Sequence, residues 1–208
     1  MSCLLSTVAS ATAQVTFTDG ILNYKLESSS GGEVTVMGLN DTTVHELKIP
    51  GTIIYEGTEY PVRYVGNGAF MNSELTSVSF PAELTRVNNK SFDGCKSLRE
   101  IIVEDADTPL YMGWSWAYDG DSDHAEGRGL FYWCPLREVY IGRNVNYMRN
   151  NSEGYSPIAK TNVRTITFGP KVTNIGANLV WKCDSLKEID LSAATSLKTI
   201  QDDAFSRS

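Results

Sequence analysis

The feature that most limits what this chain can fold into is a sentence it writes several times. "VGNGAFMNSELTSVSF" at 65–80 is followed by "VNNKSFDGCKSLREIIV" at 87–103 and by "IGANLVWKCDSLKEIDL" at 175–191. Five segments share one template, an apolar residue with others three and five positions later. They are Leu75, Val78, Phe80; Leu98, Ile101, Val103; Leu136, Val139, Ile141; Val163, Ile166, Phe168; and Leu186, Ile189, Leu191. Val44, Leu47 and Ile49 form a leading copy. The last two positions of each triplet lie two apart, so they point to one side of a strand, which the first position enters from a turn.

A second apolar series precedes these cores, at Phe70, Phe92, Phe131, Ile158 and Val180. Its period is 22 residues from Phe70 to Phe92 and again from Ile158 to Val180, and longer steps mark insertions. Val65, Val87 and Ile175 stand five residues earlier still, and Ile200 and Phe205 resume the series. A unit this short cannot enclose its own apolar face and must stack on a neighbour, which predicts a solenoid. Each buried Leu, Ile or Phe contributes roughly 1.5–3 kcal/mol. The held residues therefore line a shared core, and the variable ones face water or a partner.

The stretches "VGNGAF", "LTSVSFPAELTRV", "FDGCKSLREIIV" and "IQDDAF" resemble the BspA-type leucine-rich repeats of bacterial secreted and surface proteins. "FYWCPLREVYIGRNVNY" is similar to a degenerate copy, and "IPGTIIYEGTEYPVRYVGNGAF" to the lead-in of a first repeat. The resemblance covers about residues 44–208. It implies a mainly β leucine-rich-repeat solenoid, right-handed, with one short parallel strand per repeat. It also implies export, a binding role and no catalytic residues.

Around the repeats the organisation reads as three parts. Residues 1–13, ending Ala11-Thr12-Ala13, read as the end of a secretory signal peptide with a small-x-small cleavage site, although the basic n-region is missing. A disordered leader is the other reading. Residues 14–61, with "VTFTDGILNYKLE" and "GGEVTVMGL", alternate as antiparallel hairpin strands do and read as an N-terminal β cap covering the solenoid's first edge. Residues 62–208 carry the repeats, with an insertion near 104–129. The last copy, "IQDDAFSRS", lacks its strand core and reads as truncated.

Charge narrows the partners. With 18 basic and 25 acidic side chains the chain carries −7, which disfavours nucleic acid. No apolar run approaches the ~18 residues of a membrane span. Cys95, Cys134 and Cys183 each fall three residues after a ladder position, as compact core residues would, and without a C-x-x-C they suggest no metal site. Cys95 and Cys134 on adjacent rungs leave room for a bridge. His45 and His124 belong to no nucleophile motif, and Glu138 and Glu188 recur by repeat spacing, so no enzyme and no cofactor are expected. Asp119, Asp121 and Asp123 alternate as calcium ligands do, but His124 and Leu130 stand where an EF-hand needs Gly and Glu.

Two candidate binding surfaces remain. In the insertion, Trp114, Trp116 and Tyr118, with Tyr111, offer stacking area for a glycan or anchors for a protein; buried, they would pack the insertion on the solenoid. On the strand surface, stacking at ~4.8 Å turns the repeat into three columns. These are Thr76, Arg99, Arg137, Arg164, Lys187; Ser77, Glu100, Glu138, Thr165, Glu188; and Ser79, Ile102, Tyr140, Thr167, Asp190. A solvated lattice in which the acidic column offsets the basic one is one outcome. A binding face with Arg99, Arg137 and Tyr140 as its contacts is the other. The expected role is non-enzymatic binding of an extracellular or host protein by a secreted or cell-surface module, in adhesion or attachment. Glycan capture and an architectural spacer are the alternatives.

Overall fold

In a computed structural model the chain is all β among the described residues, which are 14–27, 32–88, 90–113, 130–131, 133–147, 156–159, 161–206 and 208. It opens with an antiparallel meander, β1 (Thr16–Thr18), β2 (Leu22–Glu27) and β3 (Glu33–Leu39). Leu22, Tyr24, Val34 and Val36 are buried beneath it. Gly38 allows the meander to meet the first turn closely: its φ is +147°, and a Cβ there would lie 2.6 Å from the Ala69 carbonyl oxygen. A hairpin of β5 (Thr52–Tyr55) and β6 (Thr58–Val65) follows, and β3 pairs in parallel with β6.

From there the backbone winds as a parallel solenoid. One sheet stacks β4 (Glu46–Lys48), β7 (Ser77–Phe80), β9 (Glu100–Val103), β11 (Glu138–Ile141), β13 (Thr165–Phe168) and β15 (Glu188–Asp190), in that order and wholly in parallel. We call this the long-strand sheet. Val78, Ile101, Val139, Ile166 and Ile189 sit in register along it, followed by Phe80, Val103, Ile141 and Phe168. The leading copy supplies β4, with Leu47 opposite Val78.

The expectation of one strand per repeat needs correction, because each turn has two. A second sheet continues from β6 through β8 (Arg86–Val87), β10 (Leu110–Met112) and β12 (Val145–Asn146). Beyond it, β14 (Asn174–Ile175) pairs with β16 (Thr199–Ile200). The two-residue strands are too short for period-two alternation to declare itself, so a single inward residue, such as Val87 or Ile175, marks each in sequence. Within the span 104–129, Leu110 and Met112 are buried in a regular rung, and residues 114–129 lie outside the described residues.

Between the sheets runs the ladder. Phe70 stacks on Phe92 at 5.1 Å and Phe92 lies 5.4 Å from Phe131, close to the rung spacing. Two residues past Phe70, Phe92, Phe131 and Val180 the backbone turns through the left-handed region, at Asn72 (φ 59°), Gly94 (75°), Trp133 (62°) and Lys182 (53°). Arg143 is wholly buried at a corner, donating from Nη2 to the Pro81 carbonyl at 2.8 Å. Its Nη1 donates to the carbonyls of Ala82 at 2.8 Å and Thr108 at 3.4 Å. Burial lowers its pKa, opposed by the charges of Glu104 and Glu83.

Candidate functional site: the charged face of the long-strand sheet

The surface that presents the repeat's variable residues is shaped at the start of each long strand. In a regular strand, consecutive side chains point to opposite faces. Here two successive amides of one rung share a single carbonyl of the rung below. Arg99 N and Glu100 N donate to the Thr76 carbonyl at 2.8 and 3.3 Å, and Arg137 N and Glu138 N donate to that of Arg99 at 2.8 and 3.1 Å. Arg164 and Thr165 repeat this on Arg137, and Lys187 and Glu188 on Arg164. The shared carbonyl sits at the entry to each strand, one residue before the regular register begins, so the alternation of a strand does not yet apply to the basic residue. The result is visible in the surface: Thr76 with Ser77, Arg99 with Glu100, and Arg137 with Glu138 line one groove of about 430 Å³, beside Glu46. A basic and an acidic column therefore stand side by side on one face.

The expected offset between those columns does not take the form of ion pairs. Among the described residues no salt bridge involves Arg99, Arg137, Arg164, Lys187, Glu46, Glu100, Glu138 or Glu188. The Arg99 guanidinium donates to the Lys96 carbonyl, at 3.3 Å. Stacking in register sets arginine over arginine and glutamate over glutamate, so each column repels itself. The third column behaves differently. The Tyr140 hydroxyl donates to Asp105 Oδ1 at 2.8 Å, and burial together with that carboxylate pushes its pKa up to about 12. Lys48 and Ser79 both meet Glu104 Oε1, at 3.5 and 3.3 Å. Tyr140 is thus pinned at the margin, while Arg99 and Arg137 stand together in the groove.

The opposite sheet gives a useful contrast. A second groove, about 440 Å³, is lined by Lys25, Glu27, Thr35, Met37, Tyr64 and their neighbours. Its polar groups are engaged within the chain: Lys25 with Glu27 at 3.0 Å, Thr35 with Glu27 at 2.7 Å, and Tyr64 with Glu33 at 2.8 Å. Arg86 lies over the Tyr111 ring at 5.6 Å, in the column Tyr64, Arg86, Tyr111, Asn146. The structure thus separates Tyr111 from the insertion and places it on this sheet. Trp114, Trp116 and Tyr118 lie outside the described residues, as does the acidic loop 118–127. Trp133, which the sequence reading passed over, is 65% exposed.

Cys95, Cys134 and Cys183 are buried, with no disulfide among them. Cys95 Sγ donates to the Phe70 carbonyl at 3.0 Å and Cys134 Sγ to that of Phe92 at 3.0 Å, so each thiol ties its rung to the one before. Contact with Cys95, reinforced by burial, holds the Cys134 thiol far above the ordinary range. His45 Nδ1 lies 3.1 Å from the Glu74 carbonyl oxygen. Among the described residues no cluster of His, Cys, Asp or Glu could hold a metal ion, and no helix is long and apolar enough to cross a membrane.

Comparison with known proteins follows the repeat. The profile of the BspA type leucine rich repeat region matches residues 60–110 and 127–208, in six copies. This chain belongs to the BspA-type leucine-rich-repeat family. Comparison with curated proteins returns no match. Among solved structures, a leucine-rich repeat protein from Bacteroides capillosus is similar at 20% identity and a TM-score of 0.51, covering 74% of this chain and 97% of its own. A leucine rich cell surface protein from Faecalibacterium prausnitzii is similar at 20% identity and 0.52, covering 92% of this chain and 46% of its own. This BspA-type chain thus spans under half the length of that protein. At such identities the likeness concerns the fold.

Proposed function

We propose that this chain is a non-enzymatic protein-binding module, secreted or displayed at the cell surface, whose contact face is the charged side of the long-strand sheet. One observation carries the reading: the basic and acidic columns stand on one face where a shared carbonyl opens each long strand, and among the described residues neither column has an ion-pair partner. The family, and the cell-surface description of the Faecalibacterium protein, support placement outside the cytoplasm. Adhesion or attachment to a host or matrix protein is the role such a face serves.

Desolvated arginines are common anchors, and losing one costs about 2 kcal/mol or more where it is central. Binding of the purified chain to immobilised extracellular proteins, read by surface plasmon resonance, is expected to weaken about tenfold or more with Arg99→Ala and Arg137→Ala together. Unchanged affinity for every protein bound would place the contact elsewhere. A second reading, glycan capture, draws on the exposure of Trp133 and on Trp114 and Trp116, which lie outside the described residues. Loss of glycan-array signal in Trp114→Ala and Trp116→Ala, with protein binding intact, would select it.

A further inference from the structure

The columns have a property that a mixed-charge surface does not have in general, which is that they complement themselves. On rungs β9, β11 and β15, a basic residue is followed at once by an acidic one: Arg99 and Glu100, Arg137 and Glu138, Lys187 and Glu188. The order along the strand is the same each time, so the basic column lies on one side of the acidic column throughout. Consider a second copy laid face to face on the first. A two-fold axis across the columns sets basic on basic and acidic on acidic, and is repelled. A two-fold axis parallel to the solenoid, running between the columns, exchanges them. Each basic column then faces the partner's acidic column, and the axis holds every rung against its own equivalent.

We propose that this face binds a second copy of the chain, with the two solenoids parallel and in zero register. Arg99 meets the other copy's Glu100, Arg137 its Glu138 and Lys187 its Glu188, each pair occurring twice. The proposal rests on the reading of this face as a protein-binding surface and names the partner. Charge complementarity selects that partner over an acidic or a basic peptide. An acidic peptide lying along the arginines would meet the glutamates, and a basic one along the glutamates would meet the arginines. A second copy satisfies both columns at once. Like charges within each column, without ion pairs among the described residues, then gain opposite neighbours. In a surface-displayed protein, two parallel copies present the same end to the surface, so this contact would pair copies on one cell.

Sedimentation velocity of the full chain tests this against ionic strength. Dimers are expected at low salt, with association weakened about tenfold or more between 0.05 and 0.5 M salt as screening shortens from roughly 14 to 4 Å. Two charge-swapped chains decide the geometry. One carries Glu100→Lys, Glu138→Lys and Glu188→Lys; the other carries Arg99→Glu, Arg137→Glu and Lys187→Glu. Each alone is expected to be monomeric, and an equimolar mixture is expected to form a one-to-one dimer. A monomeric wild type at every concentration and salt overturns the proposal, as does self-association of either swapped chain, or a mixture that stays monomeric while circular dichroism shows both chains folded. If a triple variant does not fold, Arg137→Glu and Glu138→Lys singly make the same comparison. A wild type that stays monomeric but captures an immobilised protein through Arg99 and Arg137 would overturn self-association alone and leave the binding face standing. Loss of both activities' dependence on these residues would remove the face itself.

Discussion

Phe92 is where the stacked-rung architecture can be tested most severely. It is wholly buried, stacked on Phe70 at 5.1 Å, tilted against Phe131 at 5.4 Å and edge-on to Phe80 at 5.7 Å. Truncating a core Phe to Ala costs about 3–5 kcal/mol through lost transfer energy and the cavity left behind. Ring pairs add roughly 0.5–1.5 kcal/mol each beyond burial. Three such pairs end at this residue, and neighbours held by two sheets cannot collapse into the gap. Phe92→Ala is therefore expected at the upper end, about 4–5 kcal/mol, a large fraction of the roughly 5–15 kcal/mol that folded domains possess. Urea unfolding followed by far-ultraviolet circular dichroism measures it. The architecture makes a sharper statement through coupling. Phe70 is one rung away, whereas Val180 occupies the same ladder three rungs off, ~14 Å distant. Phe70→Ala combined with Phe92→Ala should depart from additivity by about 1 kcal/mol, while Val180→Ala combined with Phe92→Ala should add within roughly 0.5 kcal/mol. A loss below about 1 kcal/mol for Phe92→Ala, or equal coupling to both positions, would refute a ladder built from nearest-neighbour contacts.

Two other perturbations probe features unrelated to the ladder. Arg143→Met keeps the length of a buried side chain but strips three carbonyls of their donor, and hydrogen bonds to a charged group contribute about 1.5–3 kcal/mol each before the relief of desolvation is subtracted. A net loss of about 3 kcal/mol in urea unfolding is expected, and an unchanged midpoint would mean that burying the guanidinium cancels its bonds. Tyr140 titrates near 12 in the folded chain against about 10 when unfolded. Because the folded pKa is raised, its contribution is complete below pH ~10 and is lost as pH climbs toward 12; an alkaline stability profile of Tyr140→Phe should lack that share of the decline, and identical profiles would detach the phenol from Asp105.

What the sequence made legible, and what it concealed, divides along a physical line. Leu98, Ile101 and Val103 announce their strand because burial admits only apolar residues there and three positions must agree at once. The short strands are nearly silent for the opposite reason, since Arg86–Val87 or Asn174–Ile175 each commits a single side chain to the core. A seam that apolar spacing cannot show is made by a polar side chain. Asn144 Oδ1 accepts from the amides of Thr173 and Asn174 at 2.8 and 3.0 Å, taking the place of a backbone carbonyl between the second sheet and β14. Of the candidate face, the sequence supplied the columns but could not supply the shared carbonyl at each strand entry, because a backbone carbonyl accepting two amides leaves no mark on residue type. That silent step has the larger functional consequence. Without it, Arg99 and Glu100 would alternate between water and core, and a charge at the inward position of every rung would abolish the stack. With it, each turn can show two adjacent variable residues to the outside while the apolar residues three and five positions after its first stay turned to the core. A repeat constrained in this way is free to change what it presents, rung by rung, without changing how it stands.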